Sequence, residues 1–228
     1  MDPAESYLLY VVELKQESEV DAEYILRTLF RSPSSSFVIR MDSCRLVLIR
    51  AVGKLPLKDN LESDMEETAH TISDTLSGEA MTNASVSFCT QPRKADTLSD
   101  SYREASLALR IGDIFYAKDR IFSYGKLGIA RLIYELPVDV CIKYLHEIFG
   151  DKEPEIPDEE TANIINAFFE NGLNISETAR QLYLHRNTLV YRLEKIGRAT
   201  GLDIRNFDDA ITYRIATMIR EYVKYKSL

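Results

Sequence analysis

Residues 174–196 constrain this chain most, because their pattern predicts two short helices joined by a tight turn. Asn174 is a good N-cap, and Glu177 three residues later can return to the cap as a capping box. Apolar residues then recur at helical spacing. We therefore expect a first helix that ends near Gln181 or Leu182.

The turn and the second helix follow at once. Tyr183, Leu184 and His185 form the break, and we expect Leu184 to fill the corner between the helices and His185 to cap the second one. From Arg186 onward one face of that helix is apolar and should pack inward, which leaves the other face free to bind. The apolar face consists of Leu189, Leu193 and Ile196.

The free face of the second helix is basic. The helix has a net formal charge of +3, in a chain whose total is −8. Arg and Asn side chains can pair with guanine and adenine edges in the major groove, while cations and hydroxyls can hold phosphates. The charges counted are those of Arg186, Arg192, Lys195 and Arg198 against Glu194.

We assign the DNA contacts by residue type. Base edges are assigned to Arg186, Asn187, Thr188 and Tyr191, and phosphates to Ser176, Arg192 and Lys195, with His185 completing the set. Arg192 has the least defined direction, because it shares a side with the apolar residues. The alternative is a helical hairpin whose basic face is only solvated. The capping box, the small Ala179 at the crossing and the Arg-Asn-Thr start favour DNA.

These residues carry a family resemblance. The run LHRNTLVYRLEKI, preceded by NISETARQLY and followed by TGLDIRNFDDAITYRIATMI, resembles the C-terminal helix-turn-helix domain of the PucR/CdaR family of bacterial transcriptional regulators, a Fis-like element. The resemblance implies that residues 186–198 form the recognition helix. It also implies a sequence-specific regulator of double-stranded DNA that is usually a homodimer, binds an inverted repeat and responds to a small-molecule effector.

Residues 1–123 show another pattern, with strands and helices in the order βαββαβα and a final short strand at 121–122. The continuous apolar run of residues 7–14 predicts a buried strand, and Asp42-Ser43 predicts a hairpin. This order favours an α+β fold in which a ferredoxin-like antiparallel sheet carries helices on one face. The run from Val86 through ADTLSDSYREASLALRIG to RIFSYGKLGIARLI resembles the degenerate GGDEF-like domain of CdaR-type regulators.

The sheet domain lacks the residues that active GGDEF cyclases use. Its hairpin, residues 41–45, has none of the glycines of those enzymes, and the first strand ends with Glu13 beside Lys15, which makes a poor divalent-metal site. We therefore expect no enzyme, no catalytic residue, no cofactor and no metal. The alternatives are a signalling nucleotide enzyme and a protein-interaction module, both using the sheet domain.

Acidic and basic residues are unevenly distributed along the chain. Residues 1–157 carry 18 Lys/Arg and 26 Asp/Glu, whereas residues 158–228 carry 10 of each, so the acidic part is not expected to lie on DNA. The predicted domains are a degenerate GGDEF-like domain at 1–123, a helical bridge and acidic proline-containing linker at 124–157, and a helix-turn-helix domain at 158–228. The acidic run GDKEPEIPDEE itself spans residues 150–160.

The sequence also leads to expectations about the cellular compartment of the protein and about whether the chain is a fragment. No run approaches the ~20 apolar residues of a membrane span, and the start MDPAESYLLYVVEL has no basic n-region, so we predict a cytoplasmic protein without a membrane partner. Three cysteines without CxxC spacing predict reduced core thiols. Regulators of this family normally carry an effector-sensing domain first, which leaves a fragment, a short form or sensing by the sheet domain open.

Overall fold

The structure is a computed structural model that describes residues 2, 4–16, 20–31, 35–54, 60–150 and 158–227. The chain divides into two compact units, Met1–Tyr134 and Glu135–Leu228. The first unit contains β1 (Ser6–Leu14), α1 (Ala22–Leu29), β2 (Ser36–Arg40), β3 (Arg45–Ala51), α2 (Leu61–Glu79), β4 (Ala84–Phe88), β5 (Arg93–Lys94), α3 (Leu98–Phe115), β6 (Ile121–Ser123) and α4 (Ile129–Tyr134). The second contains α5 (Val138–Phe149), α6 (Glu159–Glu170), α7 (Ile175–Gln181), α8 (Arg186–Thr200) and α9 (Phe207–Lys226).

The strands of the first unit form one mixed sheet in the order β2-β3-β1-β4-β6, with β5 paired to the start of β1. The predicted α+β class is confirmed. Antiparallel pairing is correct for every ladder among β1 to β5 but wrong for β4 and β6, which run parallel. The chain returns from β4 to β6 through α3, and such a crossover connection brings two strands together in parallel.

Helices cover both faces of this sheet, so the prediction of helices on one face is wrong. Leu8, Tyr10 and Val12 of β1 pack in one core with α1 and α2. On the opposite face, α3 packs against β1 and β4, and the Oγ of Ser87 donates a hydrogen bond to the carbonyl oxygen of Ala105 at 2.7 Å. The continuous apolar run of β1 supplies buried side chains to both faces.

Small residues bring α3 close to the sheet. Ala105, Ala108 and Gly112 are all buried. A Cβ atom placed on Gly112 would lie 2.5 Å from Cε1 of Phe122 in β6, closer than two carbon atoms can approach. The position of β6 beside β4 therefore depends on the absence of a side chain at residue 112.

The other predicted elements of the first unit are found with shifted ends. The hairpin lies between β2 and β3, as expected. The sequence of residues 57–76 predicts a helix that ends before Gly78. This helix is α2, whose start is Leu61, and residues 57–59 lie outside the described part of the chain. The helix continues through Gly78, because open space surrounds that residue and a helix interior tolerates glycine at a cost of about 1 kcal/mol.

In the second unit α9 joins two sets of contacts. Its first half contributes Ala210 and Tyr213 to a core with α6, α7 and α8. Its second half packs against α5, where the hydroxyl of Tyr222 donates to the carbonyl oxygen of Leu136 at 3.3 Å. Pro137 predicts a break between two helices. This break is confirmed, since Pro137 caps the start of α5.

The predicted domain limits stay predictions. Most of the acidic linker, residues 151–157, lies outside the described residues. The helix α5, which we assigned to the bridge, packs on α9 within the second unit. Cys89 and Cys141 are buried free thiols, whereas Cys44 is half-buried. Among the described residues, no helix is long and apolar enough to cross a membrane.

Candidate nucleic-acid interface

The first helix of the motif, α7, begins at the predicted cap. The side-chain oxygen of Asn174 accepts hydrogen bonds from the backbone N–H of Ser176 at 3.0 Å and of Glu177 at 3.1 Å. The predicted capping box does not form. The N–H of Asn174 is already bound to the carbonyl of Asn171 at 3.1 Å, and the carboxylate of Glu177 pairs with Arg180 instead.

A Schellman motif ends α7. The N–H of Leu184 donates to the carbonyl of Ala179 at 2.9 Å, and the N–H of Tyr183 donates to that of Arg180 at 3.2 Å. Tyr183 adopts a left-handed conformation with φ 54, which usually belongs to glycine, and its side chain is 96% exposed. Leu184 packs against the core of the motif and so fills the corner as predicted.

The second helix, α8, is capped at its start by His185, whose Nδ1 accepts the backbone N–H of Asn187 at 3.2 Å. This confirms the predicted cap. Gly201 follows the helix and has the left-handed φ of 77 that favours glycine. The predicted apolar face is confirmed, and it packs against residues of α6 and α9. Its buried members are Leu189, Leu193 and Ile196.

Most residues assigned to DNA lie on the surface. Those that are exposed are Ser176, His185, Arg186, Asn187, Thr188, Tyr191 and Lys195. Arg192 alone among the assigned residues is half-buried. All four residues assigned to base edges are therefore exposed on α8, beginning at its first turn.

Arg192 is bound to α6. Its Nη1 lies 2.7 Å from Oε1 of Glu160, and this carboxylate raises the pKa of the guanidinium. The pKa of the neighbouring Asp158 carboxyl is lowered, first by the hydrogen bond that it accepts from Thr161 and further by the positive charges of Lys195 and Arg192. The phosphate contact assigned to Arg192 stays a prediction, and Glu160 competes with it.

A second ion pair involves the acidic residue of α8. Oε1 of Glu194 lies 3.1 Å from Nη1 of Arg205, which also binds Asp203. The carboxylates of Asp203 and Glu194 raise the pKa of Arg205, while Arg205 lowers that of Asp203. Glu194 is thus paired with a residue that follows α8 in the chain and not with a cation of α8 itself.

One residue of this face is missing from our sequence-based assignment. Arg198 was counted in the charge of α8 but given no contact. Its Cζ lies 5.8 Å from the ring centroid of Tyr191, a cation–π distance. Within the described part of the chain, neither Arg198 nor Arg186 takes part in an ion pair. The seven-residue spacing between Tyr191 and Arg198, two helical turns, was the available signal.

The described residues also contain no group of three or more His, Cys, Asp or Glu side chains placed to hold a metal ion. In the sheet unit, the carboxylate of Glu13 is bound by Arg45 at 2.5 Å. Glu13 was the one acidic residue that we had considered for metal binding at the end of β1.

Several proteins share sequence with this chain. Purine catabolism regulatory protein of Bacillus subtilis (strain 168) is 28% identical over 134 residues, which are 58% of this chain and 25% of that protein. Carbohydrate diacid regulator of Escherichia coli (strain K12) is 28% identical over 125 residues, 55% of this chain and 32% of that protein. The chain thus spans only a quarter to a third of the length of these two relatives.

One solved structure, the regulator of polyketide synthase expression from Bifidobacterium adolescentis, is similar with 17% identity and a TM-score of 0.41, covering 98% of this chain and 82% of that one. The GGDEF-like character of the sheet unit stays a prediction. The match to a domain family is confined to residues 162–219, which include the capped α7, the Schellman turn and the basic α8. The family model that matches these residues is described as the PucR C-terminal helix-turn-helix domain.

Proposed function

We propose that this chain is a sequence-specific, DNA-binding transcription regulator that acts as a homodimer on an inverted repeat. The observation that carries the proposal is the exposed face of α8, with Arg186 and Asn187 at its capped start, inside a PucR-type helix-turn-helix domain. Those two side-chain types make the bidentate contacts that distinguish guanine and adenine in the major groove.

The dimensions of α8 agree with a recognition helix. Fifteen residues rise about 22 Å, and the major groove of about 12 Å width admits one α-helix. Two such helices, one from each protomer, would read half-sites about 34 Å apart on one side of the duplex. Ser176, at the start of α7, is exposed and available for a phosphate.

We infer that a small-molecule effector controls this binding. The relatives include a protein named proline-responsive transcriptional activator PutR, from Bacillus subtilis (strain 168), which is 26% identical over 48% of this chain. We further infer that the sheet unit is a scaffold for dimerisation or signal transmission, in the cytoplasm. The Arg45 side chain that occupies the Glu13 carboxylate supports a scaffold rather than a cyclase.

Selection of bound duplexes from a randomised DNA pool tests the proposal. The wild type is run beside an Arg186→Ala, Asn187→Ala variant and an Arg103→Ala control, which removes a 75% exposed cation from α3 in the sheet unit. We expect the wild type and the control to enrich the same inverted repeat and the variant to lose it. A folded wild type that enriches no sequence, with or without candidate effectors, would contradict sequence-specific binding.

The roles of individual residues are separable on the selected operator. Asn187→Ala should lose about 1–3 kcal/mol at one base pair and relax specificity there, whereas Lys195→Ala should weaken all sequences alike and reduce the salt slope by about 1. Binding of operators substituted at each position, measured at several salt concentrations, gives both quantities. A uniform loss for Asn187→Ala would remove it from base reading.

A further inference from the structure

We propose that Arg198 binds a DNA phosphate at the far end of the recognition helix and that the ring of Tyr191 positions its guanidinium for this contact. The inference rests on the proposed function and adds a binding residue to it. It also gives Tyr191 a positioning role besides the base contact assigned from the sequence.

The placement of Arg198 on α8 is the first argument. At 100° per residue, Asn187, Tyr191 and Arg198 fall within about 40° of one another, opposite the buried side chains of this helix. All three are exposed. Arg198 therefore continues the row that begins with Asn187, about 16 Å farther along the helix axis.

Arg198 lies at the opposite end of α8 from Asn187, about 16 Å farther along the axis. A recognition helix contacts base edges with its N-terminal residues, and the straight helix leaves the curved groove toward its other end. A side chain at that end is expected to lie against the sugar–phosphate backbone. Arginine suits that contact, because its planar guanidinium offers several N–H donors to phosphate oxygens.

Arg198 is not paired with Glu194, the acidic residue of its own helix. Glu194 lies four residues before Arg198, the spacing and order that most favour a Glu–Arg pair on a helix. Glu194 instead pairs with Arg205, from the segment that follows the helix, at 3.1 Å. The guanidinium of Arg198 lies over the ring of Tyr191, with Cζ 5.8 Å from the centroid.

This arrangement prepares Arg198 for an anion. The stack restricts a long side chain, so less conformational entropy is lost when the guanidinium binds. Stacking uses the face of the guanidinium and leaves the N–H groups at its edge free to donate. A stack between two exposed side chains adds little to folding stability, so folding alone does not explain the pair.

A double-mutant cycle on the full chain tests the proposal. Affinity for the selected operator and for an unrelated duplex is measured at several salt concentrations for wild type, Arg198→Ala, Tyr191→Leu and the double variant. We expect Arg198→Ala to weaken both duplexes by a similar factor, about 3- to 10-fold, and to lower the salt slope by about 1. In the Tyr191→Leu background the same change should cost clearly less.

Two further variants complete the design. Tyr191→Phe keeps the ring face and should preserve the effect of Arg198→Ala, even where the hydroxyl contributes to base reading. Arg103→Ala on α3 serves as the control for loss of one exposed positive charge. Thermal unfolding of each variant should match the wild type, which separates a binding role from a structural one.

The outcomes that overturn the proposal are distinct. Unchanged affinity and salt slope for Arg198→Ala would remove the phosphate contact, and a loss confined to one base pair would replace it with base reading. Additive losses across the cycle would remove the positioning role of Tyr191. If Asn187→Ala still relaxes specificity in these cases, the proposed function stands; if the wild type binds no duplex, the proposed function itself fails.

Discussion

The helices α3 and α8 have similar lengths but use their residues differently. On α3, seven residues are buried, including small ones that let it approach the sheet, and Glu104 is bound by Arg93 at 2.7 Å. On α8 only three residues are buried, while Arg186 and Arg198 face outward without an ion pair among the described residues. Packing against the sheet constrains much of the first helix, whereas most of the second helix is exposed and available for the proposed binding.

The largest effect that we expect within this comparison concerns Gly112 on α3. Gly112→Val should lower the free energy of unfolding by about 1–3 kcal/mol, because the added atoms overlap the Phe122 ring. Chemical denaturation followed by circular dichroism measures the change. The control is Gly78→Ala on α2, where open space surrounds the glycine and a gain of about 0.5–1 kcal/mol is expected. Equal stability of Gly112→Val and wild type would show that α3 is not held against β6.

A smaller effect is expected for Arg192, the residue of α8 that is assigned to a DNA phosphate and is paired with Glu160. Glu160→Gln removes the partner of Arg192, so affinity for any duplex should rise about 2- to 5-fold, the scale of one exposed ion pair. Fluorescence anisotropy with operator and unrelated DNA gives the ratio. Glu170→Gln removes the same charge from the other end of α6 and should raise affinity less. A loss of affinity in Glu160→Gln would mean that the ion pair supports binding by holding α8.

The smallest effect concerns the turns on either side of α7. Gly172 and Tyr183 both have positive φ, at 59 and 54, and both close a Schellman motif. Tyr183→Gly should raise the free energy of unfolding by up to about 1 kcal/mol, because glycine adopts this conformation without strain. Gly172→Ala should lower it by a comparable amount. Thermal melts of both variants measure the pair, and destabilisation by Tyr183→Gly would indicate a contact of the exposed ring.

The sequence was sufficient for features that depend on neighbouring residues. Asn174 and His185 were identified as caps, and Leu184 as the corner residue, because each acts within a few residues of its own position. The apolar face of α8 followed from its helical spacing. The predicted capping box also involves neighbouring residues, but it does not form. The backbone N–H of Asn174 donates to the carbonyl of Asn171 instead.

Contacts between residues that are distant in sequence could not be predicted from the sequence. The pairs Arg192–Glu160 and Arg205–Glu194 depend on how helices and loops cross, which spacing along the chain does not give. Placement of α3 on the second face of the sheet was implied by the continuous apolar run of β1, but we assigned that run only to a buried strand. The parallel pairing of β6 rests on three residues, too few for a pattern.

The helix α9 packs on two parts of the second unit, which couples the local opening of these parts. Ala210 and Tyr213 complete the core of the helix-turn-helix, while Tyr222, farther along the same helix, is bonded next to α5. Backbone amides along one uninterrupted helix that serves two sets of contacts should exchange with deuterium as one cooperative group. Loosening the contact with α5 would then also speed exchange at the amides of α9 next to the helix-turn-helix core, so α5 contributes to the stability of that core.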